Sequence, residues 1–296
     1  MANLLATRSQ FKAIVPSQRS LLYKLIAPSD DAIDAALSYV SGGVANWLHR
    51  ALVQATYRNW FSLDGYQGNV FLTEWPVQQV LIVGGMITVG TIYYNGTQNY
   101  AMLSSDLDSM TLSNMGSDGL VHSTVIKYSD QPTLGQLFAA VQAVTGWQVY
   151  YSSGTWAGNP SRLLKPIGAQ MAVQGVIVDS AHWIACKSVL IDEYTLELAG
   201  SLGRWVYVEW NAGYVLPVDK TDHSGLDTTI QTTLPPEITL ATINAALDYL
   251  VREAVNGGLI KSESLGDYSY TAGSDVNDII ERQNPLLFRY KRLGWI

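Results

Sequence analysis

Between Pro235-Pro236 and Gly257-Gly258 the chain carries Leu240, Ile243, Leu247, Leu250, Val251 and Ala254, spaced three and four residues apart. That period puts all six on one face of a helix of about five turns. Proline suits a first helical turn, where its missing N–H would have no partner. Glycine takes the left-handed conformation that commonly closes a helix. A second helix starts at Ser29-Asp30-Asp31, where the serine caps exposed N–H groups and the carboxylates meet the positive end of the helix dipole. Its stripe is Ile33, Leu37, Val40, Val44, Trp47 and Leu48. Gly42-Gly43 interrupts the stripe at about 1 kcal/mol per glycine relative to alanine, which implies either a kink or a close helix contact, and close packing is expected. His49, Arg50, Tyr57, Arg58 and Trp60 are placed on the continuation of this helix. Residues 1–28 interleave Arg8, Lys12, Arg19 and Lys24 with Phe11, Ile14, Leu21, Leu22, Leu25 and Ile26, and a partly ordered arm is expected there.

Strand patterns lie between these helices. Val206-Tyr-Val-Glu-Trp-Asn-Ala-Gly-Tyr214 alternates until Asn211 and Gly213 break it. Residues 70–72 and 77–83 read as strands, with Pro76 at a strand end or bend. Residues 88–94 alternate up to Asn95-Gly96, a strong hairpin signal, with 100–103 as the returning strand. From 104 to 189 the composition shifts to Ser, Gly, Asp and Thr with short apolar runs, which reads as an inserted domain. It holds one helix, begun by Thr133, carrying Leu134, Leu137, Phe138, Val141 and Val144, and ended near Gly146. Residues 147–151 and 173–178 are expected as strands around it.

At 296 residues the chain is long enough to bury about three quarters of its unfolded surface. Nine Trp and seventeen Tyr against 15% charged residues give an aromatic surface that either a large core or partner subunits would hide. A net charge of −7 argues against gripping a phosphate backbone, which takes clustered Lys and Arg. One cysteine, Cys186, forbids an intrachain disulfide. No run reaches the eighteen or so apolar residues of a membrane span, and no secretory leader pattern opens the sequence. A soluble protein of the cell interior, later carried in a particle, fits these features.

Chemistry finds little purchase. His49, His122, His182 and His223 are far apart, and the chain lacks a His-x-x-x-His pair, a Cys-x-x-Cys, a P-loop and a Gly-x-Ser-x-Gly elbow. The loop from Asp219 through Asp222 and His223 to Asp227 is the best ion-site candidate, since hard cations need converging oxygens. It lacks EF-hand spacing and reads as a solvated loop. Asp106 and Asp108 read as a surface pair rather than an acid and base across a cleft. Trp147, Tyr150, Tyr151 and Trp156 suit a sugar-stacking platform less well than a strand with alternating aromatics. No enzyme, no cofactor and no metal site is expected.

Two blocks of residues carry a resemblance. Tyr57-Arg-Asn-Trp-Phe61, Asp64-Gly65, Gly68-Asn69 and Val70-Phe-Leu-Thr-Glu-Trp-Pro-Val77 form the first. The second is the 206–214 strand, Pro235-Pro236-Glu237, the helix, and Ser262-Glu-Ser-Leu-Gly-Asp-Tyr-Ser-Tyr270. Together and in this order they resemble the head-tail connector (adaptor) family of tailed bacteriophages, over roughly residues 1–100 and 190–296. The resemblance implies an α+β fold. In it, residues 1–103 and 190–296 form a helical connector core with a short β-sheet or hairpin region, and residues 104–189 form an inserted β-rich domain with one helix that common members lack.

The same resemblance implies a structural virion protein of the neck, assembled in the host cytoplasm. Its copies would form a ring, expected to be dodecameric, below the portal protein. That ring would extend the channel through which double-stranded DNA passes without sequence-specific binding, and would join the capsid to a stopper, tail tube or nozzle. Residues 285–296 would be a docking tail that engages the portal through Leu286, Leu287, Phe288, Arg289, Tyr290, Lys291, Arg292 and Trp295. The alternative for that tail is a strand or helix packed on its own domain. Glu263, Gly266 and Asp267 are expected to form an architectural corner, with Gly266 at a tight bend and the carboxylates meeting a helix N-terminus or a basic residue such as Arg58. The rival function is carbohydrate or receptor binding through residues 104–189.

Overall fold

The computed structural model describes residues 4–18, 26–49, 52–63, 68–151, 154–183, 187–199, 203–221, 225–256, 264–265, 268–269 and 276–291. In chain order the elements are helices α1 (Arg8–Gln18) and α2 (Asp30–Leu48), then strands β1 (Ala55–Ser62), β2 (Asn69–Phe71), β3 (Val77–Tyr94), β4 (Ala101–Ser105), β5 (Ser109–Met115) and β6 (Val121–Lys127). Helix α3 (Leu134–Ala143) follows, then β7 (Trp147–Tyr151), β8 (Ile167–Met171), β9 (Val176–Trp183), β10 (Lys187–Leu190), β11 (Thr195–Ala199) and β12 (Trp205–Ala212). Helix α4 (Pro236–Asn256), the two-residue strands β13 (Ser264–Leu265) and β14 (Tyr268–Ser269), and helices α5 (Val276–Glu281) and α6 (Asn284–Leu287) complete the order.

Sheet dominates this list, which corrects the expected fold class. A five-stranded sheet runs β1-β12-β3-β7 with β9 also paired to β3. A four-stranded sheet runs β6-β5-β4-β8, and a three-stranded sheet runs β10-β11-β2. The ladders of β3 with β7 and β9, of β4 with β5 and β8, of β5 with β6, and of β11 with β10 and β2 are antiparallel. The chain is therefore mostly antiparallel β-sheet with a few helices, not a helical connector core carrying a short β region. The reason lies in β3, which is continuous over 18 residues. The sequence pattern reads as two separate pieces, 77–83 and 88–94, because Gly84 and Gly85 interrupt the alternation between them.

Two compact units divide the chain, Met1–Ala55 with Ala212–Ile296, and Thr56–Asn211. These boundaries differ from those at 103/104 and 189/190. Strand β3, ahead of the expected insertion, pairs with β7 and β9 inside it, so residues 104–189 share a sheet with residues before them.

In the first unit α2 is capped as its sequence indicates, with the Ser29 hydroxyl accepting from the Ala32 N–H. Ile33, Leu37, Val40 and Val44 of α2 pack with Ile238, Ile243, Leu247 and Val251 of α4. Within the expected N-terminal arm, of which residues 1–3 and 19–25 lie outside the described residues, Arg8–Gln18 form helix α1, which adds Phe11 and Val15 to the same core. Phe11 is fully buried, and burying a side chain of that size stabilises by roughly 1.5–3 kcal/mol. Salt bridges from Arg8 to Asp30 and Asp34, and from Lys12 to Asp30, tie α1 to α2. Helix α2 stops at Leu48 because His49 turns left-handed, at φ 55°. Tyr57, Arg58 and Trp60 therefore lie on β1, not on a continued helix. At Gly42 an added Cβ would meet nothing within 4 Å, so the close contact expected there is absent at that residue.

In the second unit the cores of the five- and four-stranded sheets merge. Val89, Ile92, Val176 and Val178 pack with Leu103, Met110 and Leu112, and α3 adds Leu137, Phe138 and Val141. Helix α3 begins with a full capping box between Thr133 and Gln136. The hairpin expected at Asn95-Gly96 does not form: β3 and β4 belong to different sheets, and the Asn95 N–H donates to the Gly146 carbonyl at 2.7 Å. Residues 172–174 form a 3₁₀ turn, and β9 starts at Val176. Among the described residues no helix is long and apolar enough to cross a membrane.

Candidate functional site

Strand β12 carries Val206–Ala212 of the Val206–Tyr214 block and lies between β1 and β3. It is buried on both faces, since Val206, Tyr207, Val208, Trp210 and Ala212 are all solvent-inaccessible. That position brings the two resemblance blocks together. The Trp210 indole N–H donates to the Glu74 carbonyl at 3.0 Å, and its ring stands 6.1 Å from Tyr57 and 6.0 Å from Phe61. On the opposite face of the strand Tyr207 meets Trp60 edge to face at 5.6 Å, and the Trp60 indole N–H donates to the Leu164 carbonyl at 3.2 Å. At the strand's end the Thr56 hydroxyl donates to the Asn211 side-chain oxygen at 2.8 Å.

A carboxylate is buried in this cluster. Glu209 accepts the Tyr207 hydroxyl hydrogen at 3.0 Å and is paired with the Arg162 guanidinium. A buried charge requires such partners. Burial first, and then the adjacent Glu209 charge, push the Tyr207 phenol well above its ordinary value, so it remains a donor. The sequence reading missed Arg162 and the role of Glu209. The available signal was a lone acid inside the apolar run Val206-Tyr-Val-Glu-Trp210, which a strand buried on both faces cannot leave unpaired. Nothing in spacing pointed to Arg162, 47 residues away.

The residues expected to dock a portal fall into three groups. Leu287 is fully buried in the first unit's core, and Leu286 and Tyr290 pack partly against it. Arg289 pairs with Glu237 of α4, and the Tyr290 hydroxyl donates to Glu237 at 3.0 Å. Backbone and Tyr290 hydrogen bonds, followed by the Arg289 charge, hold the Glu237 carboxyl below its usual range. Lys291 Nζ lies 4.2 Å over the Trp47 ring. Phe288 projects, 59% exposed. Arg292 and Trp295 lie outside the described residues. The segment through Lys291 is thus a helical turn and a 3₁₀ turn seated on its own unit, with Phe288 left outward.

Of the expected corner, Glu263, Gly266 and Asp267 also lie outside the described residues. The two pairs Ser264 with Ser269 and Leu265 with Tyr268 form an antiparallel ladder on either side of positions 266–267. Arg58, named as a partner for those carboxylates, pairs with Asp108 and donates to the Leu107 carbonyl.

The remaining candidates resolve into structural roles. Asp106 accepts from the Asp108 and Ser109 N–H groups, which lowers its carboxyl value and closes the β4–β5 turn. Asp219 accepts from the Ser9 N–H at the start of α1, and Asp227 bonds to Thr229. Asp222 and His223 are outside the described residues, and among those described no group of three or more His, Cys, Asp or Glu is placed to hold a metal. Within the aromatic cluster Trp147 is buried and Tyr151 and Trp156 pack on the core, while Tyr150 is 71% exposed. His122 pairs with Asp118, and His182 Nδ1 lies 3.1 Å from the Gly85 carbonyl oxygen. Compared with known proteins, the chain matches no family model and no curated protein.

Proposed function

We propose that the chain is a structural protein of a tailed-phage particle, a head-tail connector (adaptor) whose copies form a ring below the portal, extend the DNA channel and join the capsid to the tail. The observation that carries this reading is the convergence on Trp210. Residues of the two blocks that suggest the family, more than a hundred positions apart in sequence, pack on one another through Tyr57, Phe61, Glu74 and Trp210. Blocks matched by chance have no reason to share one cluster. The net charge of −7 supports a wall that DNA passes without being held. In this reading the chain is no enzyme, takes no cofactor, and has as partners the portal, a neck or tail component and further copies of itself.

An averaged cryo-EM image of virion necks, with the chain carrying a fused density label, tests the proposal. A labelled ring between portal and tail is the expected result. A label at the tail tip or on fibres would overturn it in favour of receptor binding. Glycan screening separates the two further, and the full chain is the right probe because residues 104–189 share a sheet with β3.

A further inference from the structure

Among the described residues the four-stranded sheet ends in two open edges, and we infer that these edges join copies of the chain, β6 of one against β8 of the next. This inference rests on the ring reading above for its closure. In β6 every residue but Ile126 is exposed, and in β8 every residue but Ile167 is exposed. Val121, Val125 and Met171 are 54%, 58% and 45% exposed.

The direction of the free backbone groups follows from the ladders. The Tyr128 N–H donates to Asp108, and the Leu120 carbonyl accepts from Gly116. Even-numbered residues between them therefore bond toward β5, and Val121, Ser123 and Val125 aim their N–H and C=O away from the sheet. In the same way the Tyr100 carbonyl accepts from Met115 and the Asp106 N–H donates to Ser109, so odd-numbered residues of β4 bond toward β8. Leu103 is opposite Gln170, which leaves Ala169 and Met171 aimed outward.

Edges of natural sheets are usually guarded by charge, proline or a covering element. Strand β8 has neither charge nor proline, and β6 has only Lys127 at its end. The row of the outward face that runs between the edges through Met171, Met102, Ser113 and Ser123 is uncharged too, with Met171 opposite Met102, Met102 opposite Ser113, and Ser113 opposite Ser123.

Strand direction selects a second copy as the occupant. Because β8, β4, β5 and β6 alternate, β6 and β8 run in opposite senses. A copy set alongside in the same orientation thus presents β8 antiparallel to β6, and the sheet continues across the contact. Such a contact is heterologous and leaves one edge free at each end, so it is completed by closing a ring. A foreign strand would need one edge only and would leave the match between the two unexplained.

Native mass spectrometry of the full chain tests this with Val125→Pro and Met171→Pro. Proline removes the outward N–H, and Met171 already sits at φ −68°, where proline fits. Val125→Lys serves as a second edge block whose exposed side chain leaves the fold alone. Thermal unfolding shows that each variant is folded. The expected result is a higher oligomer for the unaltered chain, monomers for each variant, and a one-to-one dimer and nothing larger when Val125→Pro and Met171→Pro are mixed. Dimers of Met171→Pro alone would mean β6-to-β6 pairing and overturn the inference, as would an unaltered chain that stays monomeric. Neck rings that persist with both variants would overturn the edge contact while leaving the connector reading intact. Edge-dependent oligomers with no neck ring would overturn the connector reading instead.

Discussion

Tyr207 donates its hydroxyl hydrogen to Glu209 at 3.0 Å, and both belong to a strand buried on both faces. Arg162 completes the group, with its own side chain 40% exposed and that of Glu209 at 10%. Loss of either member of the pair has unequal consequences. Arg162→Ala leaves a buried carboxylate with one donor, whereas Glu209→Gln keeps an acceptor for Tyr207 and lets the guanidinium reach water. Partial exposure of Arg162 discounts the usual cost of breaking a buried pair. Arg162→Ala is expected to destabilise the chain by about 2 kcal/mol and Glu209→Gln by about 1 kcal/mol, measured by urea unfolding. An equal cost for the two would show that the pair is not what holds this strand.

Two glycines predict opposite signs. Gly42 is on a helix surface with open space around it, and Gly42→Ala should raise stability by about 1 kcal/mol. Gly213 has φ +97°, and a Cβ there would stand 2.5 Å from the Val53 carbonyl oxygen. Gly213→Ala combines a left-handed backbone with a clash and should cost at least about 2 kcal/mol. Calorimetric melting temperatures of the two variants check both signs at once.

The contrast also marks what sequence could carry. Helices α2, α3 and α4 were legible because local chemistry specifies them: Ser29 and Thr133 as caps, and stripes at a helical period. Strand pairing was not. Whether Tyr94 leads into a hairpin or hands the chain to another sheet depends on what lies opposite β3, namely residues 147–151 and 176–183, and no window of local sequence contains that. The run 55–62 was misread because His49 ends α2 by adopting a left-handed conformation that non-glycine residues seldom take. At the candidate site the aromatics of both blocks were visible in order, but their convergence on Trp210 is a tertiary fact. So is the seating of the C-terminal segment on Glu237 and Trp47.

Acid should loosen the first unit through two of its carboxylates. Hydrogen bonds from Lys12 and then Arg8 hold the Asp30 carboxyl below its ordinary value of 3.8, and Glu237 is held below 4.5. The folded chain therefore binds these protons less tightly than the unfolded chain does. Their contribution is fully present above the unfolded values, from pH about 5 upward, and is lost as pH falls through the lower folded values. Both groups are exposed, so the effect is modest and shrinks with salt. Melting temperature followed from pH 6 down to about 3 should show a steeper decline for the unaltered chain than for Asp30→Asn with Glu237→Gln. Parallel curves would place the acid sensitivity elsewhere.

Leu287 and Phe288 are neighbours with opposite fates, and they separate folding from docking in the proposed portal contact. Leu287 is fully buried and Phe288 is 59% exposed. Deleting residues 286–296 would remove both, so a loss of portal binding after that deletion would be ambiguous. Leu287→Ala should destabilise the chain by about 2–5 kcal/mol through the cavity it leaves. Phe288→Ala should stay within about 0.5 kcal/mol of the parent in unfolding, because its ring contributes little to the unit's own core. If the ring is an anchor for a partner's pocket, its truncation should weaken portal binding by about 2 kcal/mol, roughly thirtyfold. Titrating purified portal against each chain by calorimetry gives the comparison. Unchanged affinity for Phe288→Ala, with unfolding also unchanged, would remove this residue from the docking surface.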